Sequence, residues 1–446
     1  MNRSRLSRGA LVALLLAASA ARPASSADAQ QATSMADAPA RSLTLAAALA
    51  AARRVSPDLV AAREAVAAAA ARERQAAAFP NPTLSYGREQ TSGGGQTNAQ
   101  NVAALEQPVE VGGVRGARRD AARLRREAAE ARLAAAESQL DYEVVRAYAL
   151  ALAADRRAAL AEQAAGAFEQ AQRVSERRLA AGDVSGYANR RIRLEAARYA
   201  ALRVEAVLAR RTAQLALAAL VAESADSIAG AIVTLADTLP ATPAVADQPT
   251  LIALALRSRA ELRAGERESQ AAAAEARLAS RERVPVPVVS GGFKSEDAAG
   301  GQGLSGFVAG VSLPLPLWDR RAGTVDAAAA ESRRRAAETE LLRRRVAREV
   351  AEAYDAYRLG AEQLAALAPQ LGSESRAALR ASQVAYAEGE ISLVEWLDAV
   401  RAYHEAESSF ASIRADLLVR RAALERAVGA PLSPTTSTRG TAAPQE

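Results

Sequence analysis

The stretch LEQPVEVGGVRGARR, Leu105 to Arg119, decides the fold. Pro108 interrupts an extended run, Gly112 and Gly113 follow, and a long Ala-, Arg-, Glu- and Leu-rich run of helical composition comes after them. A glycine cluster ahead of a helix is either a phosphate-cradling loop or a hinge between two kinds of structure. A phosphate loop ends in Gly-Lys followed by Ser or Thr, and Arg115-Gly116-Ala117 does not supply that ending. Proline cannot donate to a strand ladder and glycine accepts positive φ. The stretch therefore reads as a junction, with Pro108 ending a strand and Gly112 and Gly113 turning the chain into a helix.

The junction is written twice. QPVEVGGVR (Gln107 to Arg115) matches LPLPLWDRR (Leu313 to Arg321), with Pro314, Pro316 and the later Gly323 in place of Pro108, Gly112 and Gly113. VSPDLVAAREA from Val55 matches SRAELRAGERE from Ser258, NPTLSYG from Asn81 matches VPVVSGG from Val286, and AAGDVS from Ala180 matches AEGEIS from Ala387. The offsets are 203, 205, 206 and 207 residues, and so nearly constant a spacing over four matches marks an internal duplication. Repeat 1 is expected over 43–221 and repeat 2 over 251–429. A proline-bearing linker (222–250) joins them, and a disordered tail (430–446) follows.

Each repeat has one order: helix, strand, Gly-rich loop, strand, very long helix, tight turn, helix. In repeat 1 a helical segment runs from about Leu43 to Ala78 and stops before FPNP. Strands over 83–89 and 99–111 then flank QTSGGGQTN, and helices occupy 114–181 and 185–221. In repeat 2 strands over 286–294 and 304–317 flank SEDAAGGQG, and helices occupy 323–388 and 391–428. Along the last strand Phe307, Ala309, Val311, Leu313, Leu315 and Leu317 share one face, while Gly306, Gly310, Ser312, Pro314 and Pro316 share the other. Val346, Val350, Ala353, Tyr357, Gly360, Leu364, Leu367 and Leu371 alternate by four and three, a heptad seam, with Pro369 inside it expected to kink or open the helix.

Composition narrows the function. The 446 residues carry a formal charge of +6, but Arg and Glu are interspersed (RREAAEARLAAAE, Arg125 to Glu137) as on a solvated helical face. No basic block interleaves with aromatics to stack bases, which argues against a nucleic-acid partner. There is no cysteine, so disulfides, thiolate metal sites and cysteine nucleophiles are excluded, and the single histidine, His404, reads as structural. No nucleophile–base set, Walker loop or metal-ligand cluster is present, so neither an enzyme, nor a cofactor, nor a resident metal is expected.

The N-terminus reads as an export signal. Arg3, Arg5 and Arg8 precede the apolar GALVALLLAASA, and small residues follow, so residues 1–27 form a signal peptide, Ala20 being the other site that fits cleavage, and 28–42 a flexible N-terminus. Beyond it no run reaches the ~18 apolar residues of a membrane helix. An exported chain of this kind enters a membrane only through strands of a closed barrel.

Paired long helices, two hairpins, a signal peptide and a twofold repeat together resemble the TolC family of outer-membrane efflux channels, over about Leu43 to Gly429. LEQPVEVGGVRGARRDAA is most similar to the branch associated with cobalt–zinc–cadmium efflux. The fold class expected is mainly α with a β-barrel part. The resemblance implies a homotrimer in which each chain gives four transmembrane strands to a shared twelve-stranded barrel in outer-membrane lipid. The long coiled-coil hairpins then form a tunnel through the periplasm. It also implies two partners, a periplasmic adaptor (membrane fusion) protein and an inner-membrane pump of the RND type.

Residue roles follow from the same resemblance. YAEGEISLVEWLDA (Tyr386 to Ala399) resembles the periplasmic entrance, with Glu395 and Asp398 as the acids that attract cations and Tyr386 as the gate tyrosine. The latch arginine of the family falls on Ile391, and the repeat-1 equivalent of Glu395 is Ala188, which leaves Arg190 or Arg191 to meet the acids. Gly182, Asp183, Val184, Gly389, Glu390 and Ile391 form the helix tips on which an adaptor docks. Trp318 is an interfacial belt residue at a strand end. The function implied is a passive exit duct for heavy-metal cations. The alternatives are a periplasmic coiled-coil adaptor or scaffold, or an exit duct for drugs or for type I protein secretion.

Overall fold

The computed structural model describes residues 43–94, 96–230, 234–236, 245–297, 301 and 303–432. The expected signal peptide, the segment 28–42 and residues 433–446 of the tail lie outside the described residues. Repeat 1 opens with α1 (Leu45–Val55) and α2 (Pro57–Ala76). The single helical run expected over 43–78 is thus two helices. Pro57 biases Ser56 away from helical ψ, which stands at 118°. The Ser56 hydroxyl then accepts the Leu59 N–H at 3.4 Å and starts α2. The hairpin β1 (Thr83–Gly93) and β2 (Gln96–Pro108) leads into α3 (Val114–Ala180), and α4 (Gly186–Val221) returns beside it. With 67 residues, α3 is about 100 Å long.

The connection between repeats holds structure that a plain linker lacks: a short helix, α5 (Ala225–Gly230), and a bridge between Leu43 and Leu235. The buried Tyr148 hydroxyl donates to the Leu43 and Ala236 carbonyls, both at 3.0 Å, which ties this connection to α3. Repeat 2 has α6 (Gln248–Ser258), α7 (Ala260–Arg281), β3 (Val288–Asp297), β4 (Gly303–Ser312), α8 (Ala322–Ala368), a π-helical segment Pro369–Glu374, α9 (Ser375–Glu388) and α10 (Leu393–Val428). The helix expected over 323–388 is therefore opened at Pro369. Residues 430–432, expected in the tail, pack with the core: Leu432 is buried there, and its N–H donates to Glu425.

Duplication shows in the core as well as in the order of elements. Ala48, Ala52, Val144 and Leu217 are buried in one cluster, and Leu251, Ala255, Val350 and Leu424 hold the equivalent places in another. Many of the other buried residues of α3 and α7 are alanines, so the helices approach closely on small side chains. Of the heptad seam, Val346, Val350, Tyr357 and Gly360 are buried, and Leu367 is exposed where the π segment begins.

The strands form one antiparallel sheet in the order β1-β2-β3-β4, so the β2–β3 pair joins the two repeats. Strands reach further into the Gly-rich loops than expected, to Gly93 and Asp297, and stop earlier at the helical end, at Pro108 and Ser312. Prolines at 108, 314 and 316 bring no N–H to continue a ladder. Register places Leu84 opposite Leu105, Ala103 opposite Phe293 and Phe293 opposite Phe307, all on one face. Leu84, Tyr86, Leu105, Val289, Phe293, Phe307 and Val311 of that face are exposed, Phe307 by 88%. Ser85, Ala104, Gly292, Ser290, Gly310, Glu106 and Lys294 share the opposite face. Among the described residues no helix is long and apolar enough to cross a membrane.

Candidate functional site: helix tips, entrance and strand-to-helix junctions

Both left-handed glycines of the first junction are where the sequence puts them. Gly112 and Gly113 have φ of 72° and 71°, and Gly113 is the N-cap of α3. Pro108 is the last ladder residue, and the Val109 N–H makes one more bond, to the Pro287 carbonyl at 2.8 Å. The arginines after the glycines act as a clamp. Arg118 grips Glu110 through both carboxylate oxygens (2.6 and 3.1 Å), and its remaining N–H groups reach the Ala76 and Ala78 carbonyls. Arg115 donates to the Ala77 carbonyl at 2.7 Å and lies 3.8 Å over the Phe79 ring. The orphan carbonyls at the end of α2 are thereby capped by cations, which the helix dipole also favours.

The second junction is built differently. Its positive-φ residue is Arg321 (φ 54°), whereas Gly323 lies inside the first turn of α8. Arg321 is held there by its N–H to Asp319 and its guanidinium to Glu282, both at 2.8 Å. Pro314 and Pro316 lie in the connection after β4, and Trp318 follows them at 93% exposure. Arg281 crosses between repeats to donate to the Gly113 carbonyl at 2.9 Å.

Both helical tips have the same geometry. Gly182 and Gly389 have φ of 82° and 80°. In each the glycine N–H bonds back to a carbonyl three residues earlier, and the next N–H to one five earlier: Leu179 and Arg178 in repeat 1, Tyr386 and Ala385 in repeat 2. This double closure caps a helix at a left-handed residue. Asp183, Val184, Glu390 and Ile391 make the turn, and a serine then starts the returning helix. Ser185 accepts from the Ala188 N–H at 3.1 Å, and Ser392 from the Glu395 N–H at 3.3 Å.

The residues expected at the entrance come close together but not as one cluster. Glu395 completes a capping box, accepting the Ser392 N–H at 2.7 Å. That backbone bond, then the Ser392 hydroxyl, hold its carboxyl below the ordinary glutamate value. Asp398, one turn on, pairs with Arg401 of its own helix at 3.0 Å and not with Arg190 or Arg191. Tyr386 stacks on Trp396, with ring centres 5.4 Å apart. Leu393, Trp396, Leu397 and Val400 of α10 pack with Phe168 of α3 and with Ile192 and Tyr199 of α4, so the two tips form one four-helix end. His404 sits edge-on to Tyr199, and burial lowers its pKa.

Sequence reading missed the clamp of Arg115 and Arg118 and the serine caps. The caps were legible: Ser-x-x-Glu at 392–395 is the capping-box spacing. The clamp was not, because its acceptors are carbonyls of a helix end about 40 residues earlier. Among the described residues no three or more His, Asp or Glu side chains converge as a metal site.

Comparison with known proteins agrees with this fold. The profile described as outer membrane efflux protein matches residues 48–223 and 251–430, one match per repeat. The cobalt-zinc-cadmium resistance protein CzcC of Cupriavidus metallidurans is 27% identical over 357 residues, spanning 80% of this chain and 82% of that one. The nickel-cobalt-cadmium resistance protein NccC of Alcaligenes xylosoxydans xylosoxydans is 30% identical over 282 residues, 61% of each chain. The crystal structure of the CmeC outer membrane channel of Campylobacter jejuni shares the fold, with a TM-score of 0.72 at 16% identity over 88% of this chain and 86% of that one. Two internal repeats, each matching the same profile and each carrying hairpin, long helix and capped tip, identify the chain as a member of the outer membrane efflux protein family.

Proposed function

We propose that the protein is the outer-membrane exit duct of a tripartite efflux system for heavy-metal cations. Three copies close their sheets into a twelve-stranded barrel in the lipid, and the long helices continue it as a tunnel through the periplasm. One observation carries this reading. The sheet exposes a contiguous apolar face, and its outer strands β1 and β4 each pair on one side only among the described residues. In lipid an unpaired strand edge costs several kcal/mol per orphan group, on the order of the loss of a buried hydrogen bond. Further copies of the same sheet remove both edges and turn the apolar face to lipid. The opposite face, mostly small or polar but with Val102, Val308 and Leu304 in it, then lines the lumen, and Trp318 stands at the membrane boundary.

The four-helix end holding both tips is the periplasmic entrance in this reading. Glu395 and Asp398 are both exposed there, and threefold symmetry multiplies them into a ring that attracts cations. The turns at Gly182–Val184 and Gly389–Ile391 present the surface for a periplasmic adaptor, which links the duct to an inner-membrane RND-type pump. The metal cargo is suggested by the resistance proteins to which the chain is similar. Deleting the gene should lower tolerance to cobalt, zinc or cadmium, and the native chain should restore it. Unchanged metal tolerance with lowered drug tolerance would replace the cargo and keep the duct.

A further inference from the structure

We infer that the strand-to-helix junctions form a collar for anionic phospholipid, in which exposed arginines hold the lipid phosphate beside the apolar face of the sheet. The inference rests on the reading of the sheet as part of a membrane barrel and adds to it a headgroup preference. Contacts bring the junctions to one level. The Val109 N–H donates to the Pro287 carbonyl at 2.8 Å, and Arg281 donates to the Gly113 carbonyl at 2.9 Å. Arg321 reaches Glu282 at 2.8 Å, and Arg118 reaches the Ala76 and Ala78 carbonyls. The connections α2–β1, β2–α3, α7–β3 and β4–α8 are thereby gathered into one band at the base of the sheet.

Residue character changes in the same direction along three of these connections. After β4, Leu313, Leu315 and Leu317 are each more than half exposed, Trp318 follows, and the exposed Arg320 and Arg321 come next. After β2, exposed Val109 and Val111 precede Arg115 and Arg119. Before β3, Arg281 and Arg283 precede exposed Val284 and Val289. Apolar side chain, aromatic ring and then cation is the order of depth at a bilayer surface, where the ring sits at headgroup level and the long cationic side chain reaches outward.

Charge selects the headgroup. Residues 109–120, 281–287 and 313–321 hold seven arginines against four acids. Three of those acids are already engaged: Glu110 by Arg118, Glu282 by Arg321 and Asp319 by the Arg321 N–H. Arg119, Arg283 and Arg320 are exposed and make no hydrogen bond or ion pair among the described residues. Further along the same helices arginine is matched by glutamate, as in Arg125 with Glu275 and Arg132 with Glu268. A guanidinium takes a phosphate through two parallel N–H bonds. Free phosphate would satisfy the arginines alone, whereas a phospholipid also covers Trp318 and the leucines before it.

Trp318 makes the collar observable. The other tryptophan, Trp396, lies beyond α8, whose 47 residues alone span about 70 Å. Detergent-solubilised native protein is titrated with brominated phosphatidylglycerol or brominated phosphatidylcholine, and quenching of tryptophan fluorescence is followed. Each arginine near an anionic lipid surface strengthens attachment about fivefold. Phosphatidylglycerol should therefore half-quench at a concentration at least about tenfold lower than phosphatidylcholine at low ionic strength, and high salt should close the gap. Substituting Arg119→Gln, Arg283→Gln and Arg320→Gln together should reduce the gap to about twofold or less while quenching by phosphatidylcholine stays as in the native chain. That unchanged quenching also shows that the variant is folded. Equal quenching of the native protein by both lipids, a gap indifferent to salt, or an undiminished gap in the triple variant overturns the collar. A gap abolished by inorganic phosphate at the same concentration makes the arginines a site for the free anion and overturns the lipid as occupant. Quenching by neither lipid overturns the membrane reading of the sheet beneath it.

Discussion

Single residues fix the two ends of each tip. Gly182 and Gly389 stand where an L side chain costs roughly 1–2 kcal/mol, so Gly389→Ala should lower the melting temperature and loosen the turn, measured by thermal unfolding and amide exchange. Ser392→Ala removes a cap worth about 1 kcal/mol and should fray the first turn of α10. Glu395 adds a pH signature. Its folded pKa is lowered by the Ser392 backbone, so its contribution is fully present above the ordinary glutamate value of about 4.3 and is lost as pH falls through the lower folded value. Ser392 amide protection, corrected for intrinsic exchange, should decline over that acid range in the native chain. Glu395→Gln should abolish the dependence, and an identical titration in the variant would show that another group is responsible. The clamp arginine is expected to matter more than its surface position suggests. Arg118→Ala leaves the Ala76 and Ala78 carbonyls without their cap and Glu110, whose side chain is 9% exposed, without its partner.

At the scale of elements, much of the architecture was legible in the sequence. Pro108 and the glycines after it announce the end of β2 and the start of α3, and the residue offsets of the repeat carry that reading to repeat 2. What was not legible has physical causes. Ser56 ends α1 through the φ/ψ bias that Pro57 imposes, a one-residue break inside an unbroken alanine-rich run. Arg321 holds the left-handed position that a glycine was expected to fill, because Asp319 and Glu282 bind it there, and no local pattern announces a partner 39 residues away. The strands outrun their hydrophobic pattern, since loop-end residues such as Gln90 and Gln96 are polar yet continue the ladder. Of the candidate site, the turns were readable from glycine and serine. The side-chain pairings around the second tip were not, since stacking of Tyr386 on Trp396 depends on how α9 lies against α10. The repeated core is testable at this scale. Leu424→Ala and Leu217→Ala remove fully buried side chains at equivalent places, and each should cost about 2–5 kcal/mol. A loss confined to one of the two would mean that the repeats are unequal in stability.

For the molecule as a whole, the face of the sheet decides between a duct and a periplasmic scaffold. A scaffold would leave Phe293, Phe307 and Val311 in water, whereas a membrane barrel turns them to lipid. Phe307→Arg places a charge on that face at a cost of about 2–4 kcal/mol near the bilayer midplane, and it should abolish recovery from outer-membrane fractions. The same substitution would be nearly neutral in a soluble scaffold. The central claim is an open path through an assembly of identical chains, and ion conductance of purified protein in planar bilayers tests it most directly. The account predicts a steady conductance from a trimeric detergent-solubilised species, lost in Phe307→Arg. A monomer that inserts no channel, with Phe307→Arg indistinguishable from the native chain, would contradict it.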